Sequence, residues 1–394
     1  MDDIVGLVSV RNFNYGSILQ AFAFQSVLFR KGINNEIILY KKRNGVKQLL
    51  RVFNMPLLKA KINTLKRSIY AKLDKDVNSV MRARHSSFSE FVKKKLVFSE
   101  EYDGRKSLIE GTKKYRAFIL GSDQVWNPMN LGSDFYTLLF CPKNKLKVTY
   151  ASSFGVSQIP NYQIRRTKNY LKAIDQISVR EDSGAQIVKR LIGKDVPVVV
   201  DPTLLLDAED WNSLIIDHRE CEDKYIFAYF VGASPGHRDA VKRLSKNTGL
   251  KVIGIPFVDE LAKSDYFMVD KEYLKVGPSE FVNLIRHAEF ICTDSFHATV
   301  FSIQYQKLFF VFDRYKVDDK ASMNSRLFSI LRKLGLESRL VSQRGDILNW
   351  YEEDIDFAPV LNKLKNLRID SEVYLDKVCN MLKEPNHINA AGED

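Results

Sequence analysis

Short apolar runs that end in Gly, Ser or Asp, each followed by a stretch with helical spacing, recur along almost the whole of this 394-residue chain. In the first half, IVGLVSV runs into the loop RNFNYGS and then into ILQAFAFQSVLFRKG, a helix stopped at Gly32; NNEIILY is the next strand. YRAFILGSD, KVTYASSFG, DQISVRED and VPVVVDP repeat the strand-then-loop pattern, with a helical stretch near 77–95 before them. KYIFAYFVGASPG restarts the pattern in the second half, where HRDAVKRLSKNTG reads as a helix and KVIGIP as a strand. A helix at GPSEFVNLIRHA, a strand at FICTDS, a helix at FHATVFSIQYQ and a strand at LFFVFD complete it. Strands covered on both faces read as continuous apolar runs, and alternation with helices predicts parallel sheets. The length exceeds what one core usually holds. Two α/β domains are therefore expected, at 1–203 (with a basic helical insertion at 41–95) and 204–340. A helical tail at 341–394 is expected to return to the first domain.

Composition narrows the class. Hydrophobic residues at 45% and charged residues at 27% fit a globular protein, and no apolar run reaches the ~18 residues of a bilayer crossing. The start MDDIVGLVSV carries two acids where a secretory signal carries bases, and Cys141, Cys221, Cys292 and Cys379 lack paired spacing. Both features predict a cytoplasmic chain without a disulfide framework or zinc knuckle. The net charge of +12 is concentrated: ten Lys or Arg and no acid lie between Lys41 and Leu73, interleaved with Leu, Ile, Val and Phe. That composition fits either a basic amphipathic element contacting the inner face of an anionic membrane or an acidic substrate, or a solvated helical hairpin. Nucleic acid is not expected as a partner, since stacking aromatics and a recognition motif are missing.

Ligands of parallel open sheets bind beyond the carboxyl ends of the strands, so the loops there carry the candidate chemistry. Asn14, Tyr15, Gly16 and Ser17 precede the first helix and offer either amide donors to a ligand or a simple cap. Gly121, Ser122, Asp123, Gln124 and Trp126 bring small, acidic, amide and aromatic groups together, a mixture suited to sugar hydroxyls and a sugar face. Arg180, in Ser178-Val179-Arg180-Glu181-Asp182, reads either as a clamp for a carboxylate or phosphate or as the partner of Glu181 or Asp182. In Thr293-Asp294-Ser295-Phe296-His297 a strand ends at a helix start, with a histidine one turn in. Such a histidine transfers protons near neutrality or sits satisfied in a core.

Taken in order, NYGS with LQAFAFQ, GSDQVWNP, YASSFG, SVREDSG, VVVDPTLLL and HAEFICTDSFHATVFSIQYQKLFFVF resemble the polysaccharide pyruvyl transferase family, and NSRLFSILRKLGLESR extends the match. The resemblance implies two Rossmann-like domains facing across a cleft, the glycosyltransferase B-type architecture. It implies phosphoenolpyruvate as donor substrate, no metal or other cofactor, and a sugar acceptor, free or lipid-linked, that receives a pyruvate ketal. By position His297 matches the family's cleft histidine and Arg180 its arginine, and with Asp123 they form the expected catalytic set. Ser295, Phe296, Lys307, Arg326 and Gly232 are expected on the donor; Asn14, Gly16, Gly121, Ser122, Gln124 and Trp126 on the acceptor. Many relatives carry an arginine where this chain has Ser295, so Arg180 needs a second cation, with Lys307, Arg314 and Arg326 as candidates. A sugar-nucleotide glycosyltransferase and a non-catalytic partner in polysaccharide assembly are the alternatives on the same fold.

Overall fold

The computed structural model describes residues 4–10, 13–42, 75–128, 134–215, 222–255, 275–314 and 325–384. Most of the basic stretch, 43–73, lies outside the described residues.

Five parallel strands form the first sheet: β1 (Ile4–Val8), β2 (Asn35–Lys41), β3 (Phe98–Asp103), β4 (Tyr115–Leu120) and β5 (Leu146–Thr149), in the order β3-β2-β1-β4-β5. β1 is followed by helix α1 (Tyr15–Arg30), buried along most of its length because the sheet lies on one side and the second domain on the other. Helix α2 (Lys75–Lys95) leads into β3, an edge strand whose sequence FSEEYD leaves both glutamates exposed. Two further strands were expected at DQISVRED and VPVVVDP. They contribute only single parallel bridges, Val148 to Gln176, Ser152 to Val179 and Val179 to Val198. These short steps still carry the sheet sideways, so Arg180 and Asp201 emerge at the same end as the loops after β1 and β4.

The second sheet is smaller: β6 (Tyr225–Tyr229), β7 (Lys251–Gly254), β8 (Phe290–Thr293) and β9 (Leu308–Val311), all parallel, in the order β7-β6-β8-β9. Helices α3 (Pro235–Thr248), α4 (Pro278–His287) and α5 (Phe296–Gln304) connect them. In each sheet the order reverses beside the first strand, between β1 and β4 and between β6 and β8. Such switch points leave a crevice at the carboxyl ends.

Aromatic packing joins the two sheets. Tyr15 of α1 stacks on Phe281 of α4 at 4.3 Å between centroids, meets Tyr229 edge-on at 5.7 Å, and donates its hydroxyl to the Val276 carbonyl at 2.7 Å. Trp211 bridges Phe22 (5.8 Å) and Phe301 (5.0 Å). Helix α6 (Ser325–Leu334) crosses toward the first domain, where Ser329 and Lys333 bond Asp182. The last helix, α7 (Phe357–Lys383), places Ser371 on the Val200 amide, the Tyr374 hydroxyl on the Thr149 carbonyl and Asp376 on Lys31. No helix among the described residues is long and apolar enough to cross a membrane.

Candidate active site

Asp201 ends the last extended segment of the first sheet and caps the single helical turn Pro202–Leu205, whose proline at the first position suits a helix start. Its side chain is fully buried. Oδ2 accepts from Arg180 Nη1 at 2.6 Å and from the Ser122 hydroxyl at 2.8 Å. Oδ1 accepts from the Thr203 amide at 3.1 Å and hydroxyl at 2.7 Å, and faces His297 Nε2 at 3.7 Å. The last distance is that of an ion pair, so Nε2 has no hydrogen-bond partner. Burial alone would push the Asp201 carboxyl up, but the His297 ring, the Arg180 charge and Thr203 outweigh it and hold the group well below the usual carboxylate range.

Arg180 spends one nitrogen on Asp201 and Ser122, while its Nε and Nη2 are buried without a partner. The neighbouring acids do not supply one. Glu181 Oε1 accepts from the Ser153 hydroxyl and the amides of Phe154 and Gly155, and Asp182 faces α6. A salt bridge within Arg180-Glu181-Asp182 is thereby ruled out. The Arg180 guanidinium lies 4.7 Å from the Phe296 ring centroid, with Arg326 at 5.9 Å from the same ring. Burial and the adjacent Arg180 charge pull the Arg326 guanidinium down to about 9. Its contact in the first domain is the Gln124 amide, whose oxygen accepts from Arg326 Nη1 at 3.1 Å and Nε at 3.2 Å when turned toward it. Arg180, Asp201, Phe296, Arg326, Ser329 and Lys333 line a narrow cleft with about 20 Å³ of free space, open to solvent at its mouth.

The third part of the site is the start of α1. Asn14 caps the helix by accepting from the Gly16 amide at 3.0 Å. The Ser17 hydroxyl donates to Asp123 Oδ2 at 2.6 Å, and the Gln124 backbone N–H to Oδ1 at 2.8 Å. Asp123 holds φ +81°, a left-handed conformation tolerated by aspartate and uncommon elsewhere. Burial would raise its carboxyl, but Arg180, His297, the Ser17 hydroxyl and Arg326 together lower it. His297, the second residue of α5, is buried at 6% exposure and sits against Gly16. Ser295 is the N-cap of α5, accepting from the Ala298 amide at 3.5 Å.

The residues predicted from sequence therefore divide. His297, Arg180, Asp123, Ser122, Gln124, Phe296, Arg326, Asn14 and Gly16 meet in one cluster. Trp126 does not: it is fully buried against Phe154 and Tyr170, with Nε1 on the Tyr136 carbonyl, so its ring is core and presents no face to a sugar. Lys307 precedes β9 at the opposite end of the second sheet, beside Glu289 and Arg286, and cannot reach the cleft loops. Gly121 is backbone support, its amide on the Val8 carbonyl. Gly232 and Arg314 surround Asp294, which accepts from the amides of Val231 and Gly232 at 2.7 and 2.8 Å; that carboxylate shapes a loop. Asp201 was missed. Its Asp-Pro signature reads as a helix cap, and only the fold brings Ser122, Arg180 and His297 to it.

A family model described as polysaccharide pyruvyl transferase matches residues 14–315. No curated protein sequence matches the chain. Among solved structures, a UDP-N-acetylglucosamine 2-epimerase from Rickettsia bellii is similar with a TM-score of 0.50 at 10% identity, covering 96% of each chain. A UDP-N-acetylglucosamine 2-epimerase from Neisseria meningitidis gives 0.47 at 9% identity, over 96% of this chain and 99% of that one. The Phytolacca americana glycosyltransferase UGT2 gives 0.41 at 13%, over 97% and 100%. At such identities the likeness concerns the fold, two Rossmann-like domains.

Proposed function

The chain belongs to the polysaccharide pyruvyl transferase family, and on that premise we propose that it moves pyruvate from phosphoenolpyruvate onto two hydroxyls of a sugar, forming a ketal. The observation that carries this reading is Arg180: a buried guanidinium with Nε and Nη2 unpartnered, aimed into a cleft that also holds Arg326 and Lys333. A buried donor left unpaired is costly. A small, multiply charged anion removes that cost, and two parallel N–H groups fit a carboxylate or phosphoryl edge.

The chemistry follows from the donor. His297 gives a proton to the methylene carbon, and the electron-poor C2 takes the oxygen of one sugar hydroxyl, whose proton passes back to His297. The C2–O bond to phosphate then breaks, phosphate leaves, and the second hydroxyl closes the ketal as its proton passes to solvent or phosphate. His297 is the group that exchanges protons near neutrality. Asp123, bonded to Ser17 and held anionic, accepts from an acceptor hydroxyl. Arg180 and Arg326, both beside the Phe296 ring, bind the carboxylate and the departing phosphate.

Purified protein, phosphoenolpyruvate and a panel of free and lipid-linked sugars test the proposal. The expected result is phosphate release matched by a ketal methyl signal in proton NMR, abolished by His297→Ala. Absence of donor binding by calorimetry, or transfer from a sugar nucleotide instead, refutes it.

A further inference from the structure

We propose that Asp201 is the positioning residue of this site: a buried carboxylate that fixes Arg180 with one oxygen and orients and polarises His297 with the other. The inference rests on the pyruvyl-transfer reading given above.

A capping role alone does not account for the arrangement. Capping the turn at Pro202 takes one oxygen, Oδ1, on the Thr203 amide, and a serine or asparagine would serve equally. Asp201 also keeps Oδ2 on Arg180 and Ser122, and its negative charge is withdrawn from solvent at 0% side-chain exposure. A buried carboxylate persists only where opposite charge and hydrogen bonds compensate it. Here the compensation comes from both domains, Arg180 and Ser122 from the first and His297 from the second.

The geometry also distinguishes the two imidazole nitrogens. Nε2 faces Asp201 Oδ1 at 3.7 Å, and a shift of about 1 Å brings it to hydrogen-bond length. A carboxylate there favours the proton on Nε2 and leaves Nδ1, which lies against Gly16 at the start of α1, as the nitrogen that exchanges a proton with substrate. The charged groups of this cluster are Asp201 and Asp123, with Arg180 and Arg326; α1 contributes only Gly16 and Ser17, and α5 the Phe296 ring. Of these groups, Asp201 is the acid within ion-pair reach of the ring, so its charge is the one placed to steady an imidazolium formed during the reaction.

Asp201→Asn is the test, because it preserves shape and removes charge. Turnover should fall roughly 10- to 100-fold, and the acid limb of the pH–rate profile should move to lower pH, since the histidine loses a neighbouring anion. Calorimetric affinity for phosphoenolpyruvate should hold or rise, because a negative charge beside the anion site is gone. Wild-type turnover with an unmoved limb overturns the proposal. So does a parallel loss of donor binding, melting temperature and turnover with no movement of the limb, which marks Asp201 as structural. If the asparagine variant does not fold, Asp201→Glu keeps the charge and displaces Oδ1 from His297. It should bind donor normally and turn over slowly, and full turnover there overturns the proposal equally. Failure of the underlying reading shows elsewhere, as wild-type protein that neither binds nor consumes phosphoenolpyruvate.

Discussion

His297 occupies the space that a side chain at Gly16 would need: a Cβ there would stand 2.0 Å from Nδ1. The glycine is required for that close approach, since it lies in an ordinary helical turn. The contact links sequence to site across the two domains, with the start of α1 on one side and the start of α5 on the other. Gly16→Ala should leave α1 intact, alanine being the better helix former, yet force the imidazole away. A displacement near 1 Å can cost about 100-fold in rate. The expected outcome is a large fall in kcat with a circular dichroism spectrum like that of wild type. Undiminished kcat would show that the ring position does not matter.

Arg180 separates charge from geometry. Arg180→Ala leaves Asp201 buried without its ion-pair partner, which costs about 3–5 kcal/mol of stability. Arg180→Lys keeps a charge for Asp201 but loses the fork formed by Nε and Nη2. The lysine variant should melt within a few degrees of wild type and bind phosphoenolpyruvate about 10- to 100-fold more weakly, as expected for one lost charge-assisted contact. Equal melting temperatures for the two variants would contradict the buried pairing.

The sheets were readable because IVGLVSV, YRAFILGSD and FICTDS carry apolar runs that end in small or polar residues. β3 was not, because FSEEYD is an edge strand with exposed glutamates and carries no apolar run. The segments at 176–180 and 196–200 have strand composition but make only single bridges, since each turns at once into Arg180 and Asp201. In the site, His297 and Arg180 could be read from their places after strands. Asp201 could not, because its partners Ser122, Arg180 and His297 lie 79, 21 and 96 residues away in sequence. Trp126 misled for the opposite reason: an aromatic beside Asp123 suggests a sugar platform, while burial depends on Phe154 from a later loop and Tyr170 from a later helix.

Trp126→Phe should therefore act on stability alone. It deletes the Nε1 bond to the Tyr136 carbonyl and part of a packed ring, a loss of about 1–3 kcal/mol. Acceptor KM should be unchanged, and a rise of tenfold or more would return the residue to the acceptor site.

Acid should weaken the fold through Asp201 and Asp123, both of whose carboxyls lie below the ordinary range. With a depressed folded-state value, the stabilisation is complete above the unfolded value of about 4 and is lost as pH falls toward the folded one. Denaturant midpoints should thus hold between pH 7 and about 5 and decline below about 4. Each such carboxylate adds up to ~1.4 kcal/mol per pH unit. Asp201→Asn should flatten the decline; an unchanged slope would mean that the group is not depressed in the folded protein.

Tyr15 gives the last prediction, on how firmly the two domains are joined. From α1 in the first domain it stacks on Phe281, meets Tyr229 and donates to the Val276 carbonyl, all of the second, and its hydroxyl is pushed up to about 12 mainly by burial. Paired domains move freely when their interface is small and polar, but here it is aromatic and buried. Unfolding one sheet alone would expose these rings, so calorimetry of the wild-type protein should show a single transition. Tyr15→Phe keeps the stack and loses one hydrogen bond, a cost of about 1 kcal/mol. Tyr15→Ala removes the ring at a cost of about 3–5 kcal/mol, enough to separate the transition into two. Its kcat should fall with it, because His297 and Gly16 are held in register by this same interface. Two transitions already present in wild type, or full activity in the alanine variant, would show that the domains are coupled by other contacts.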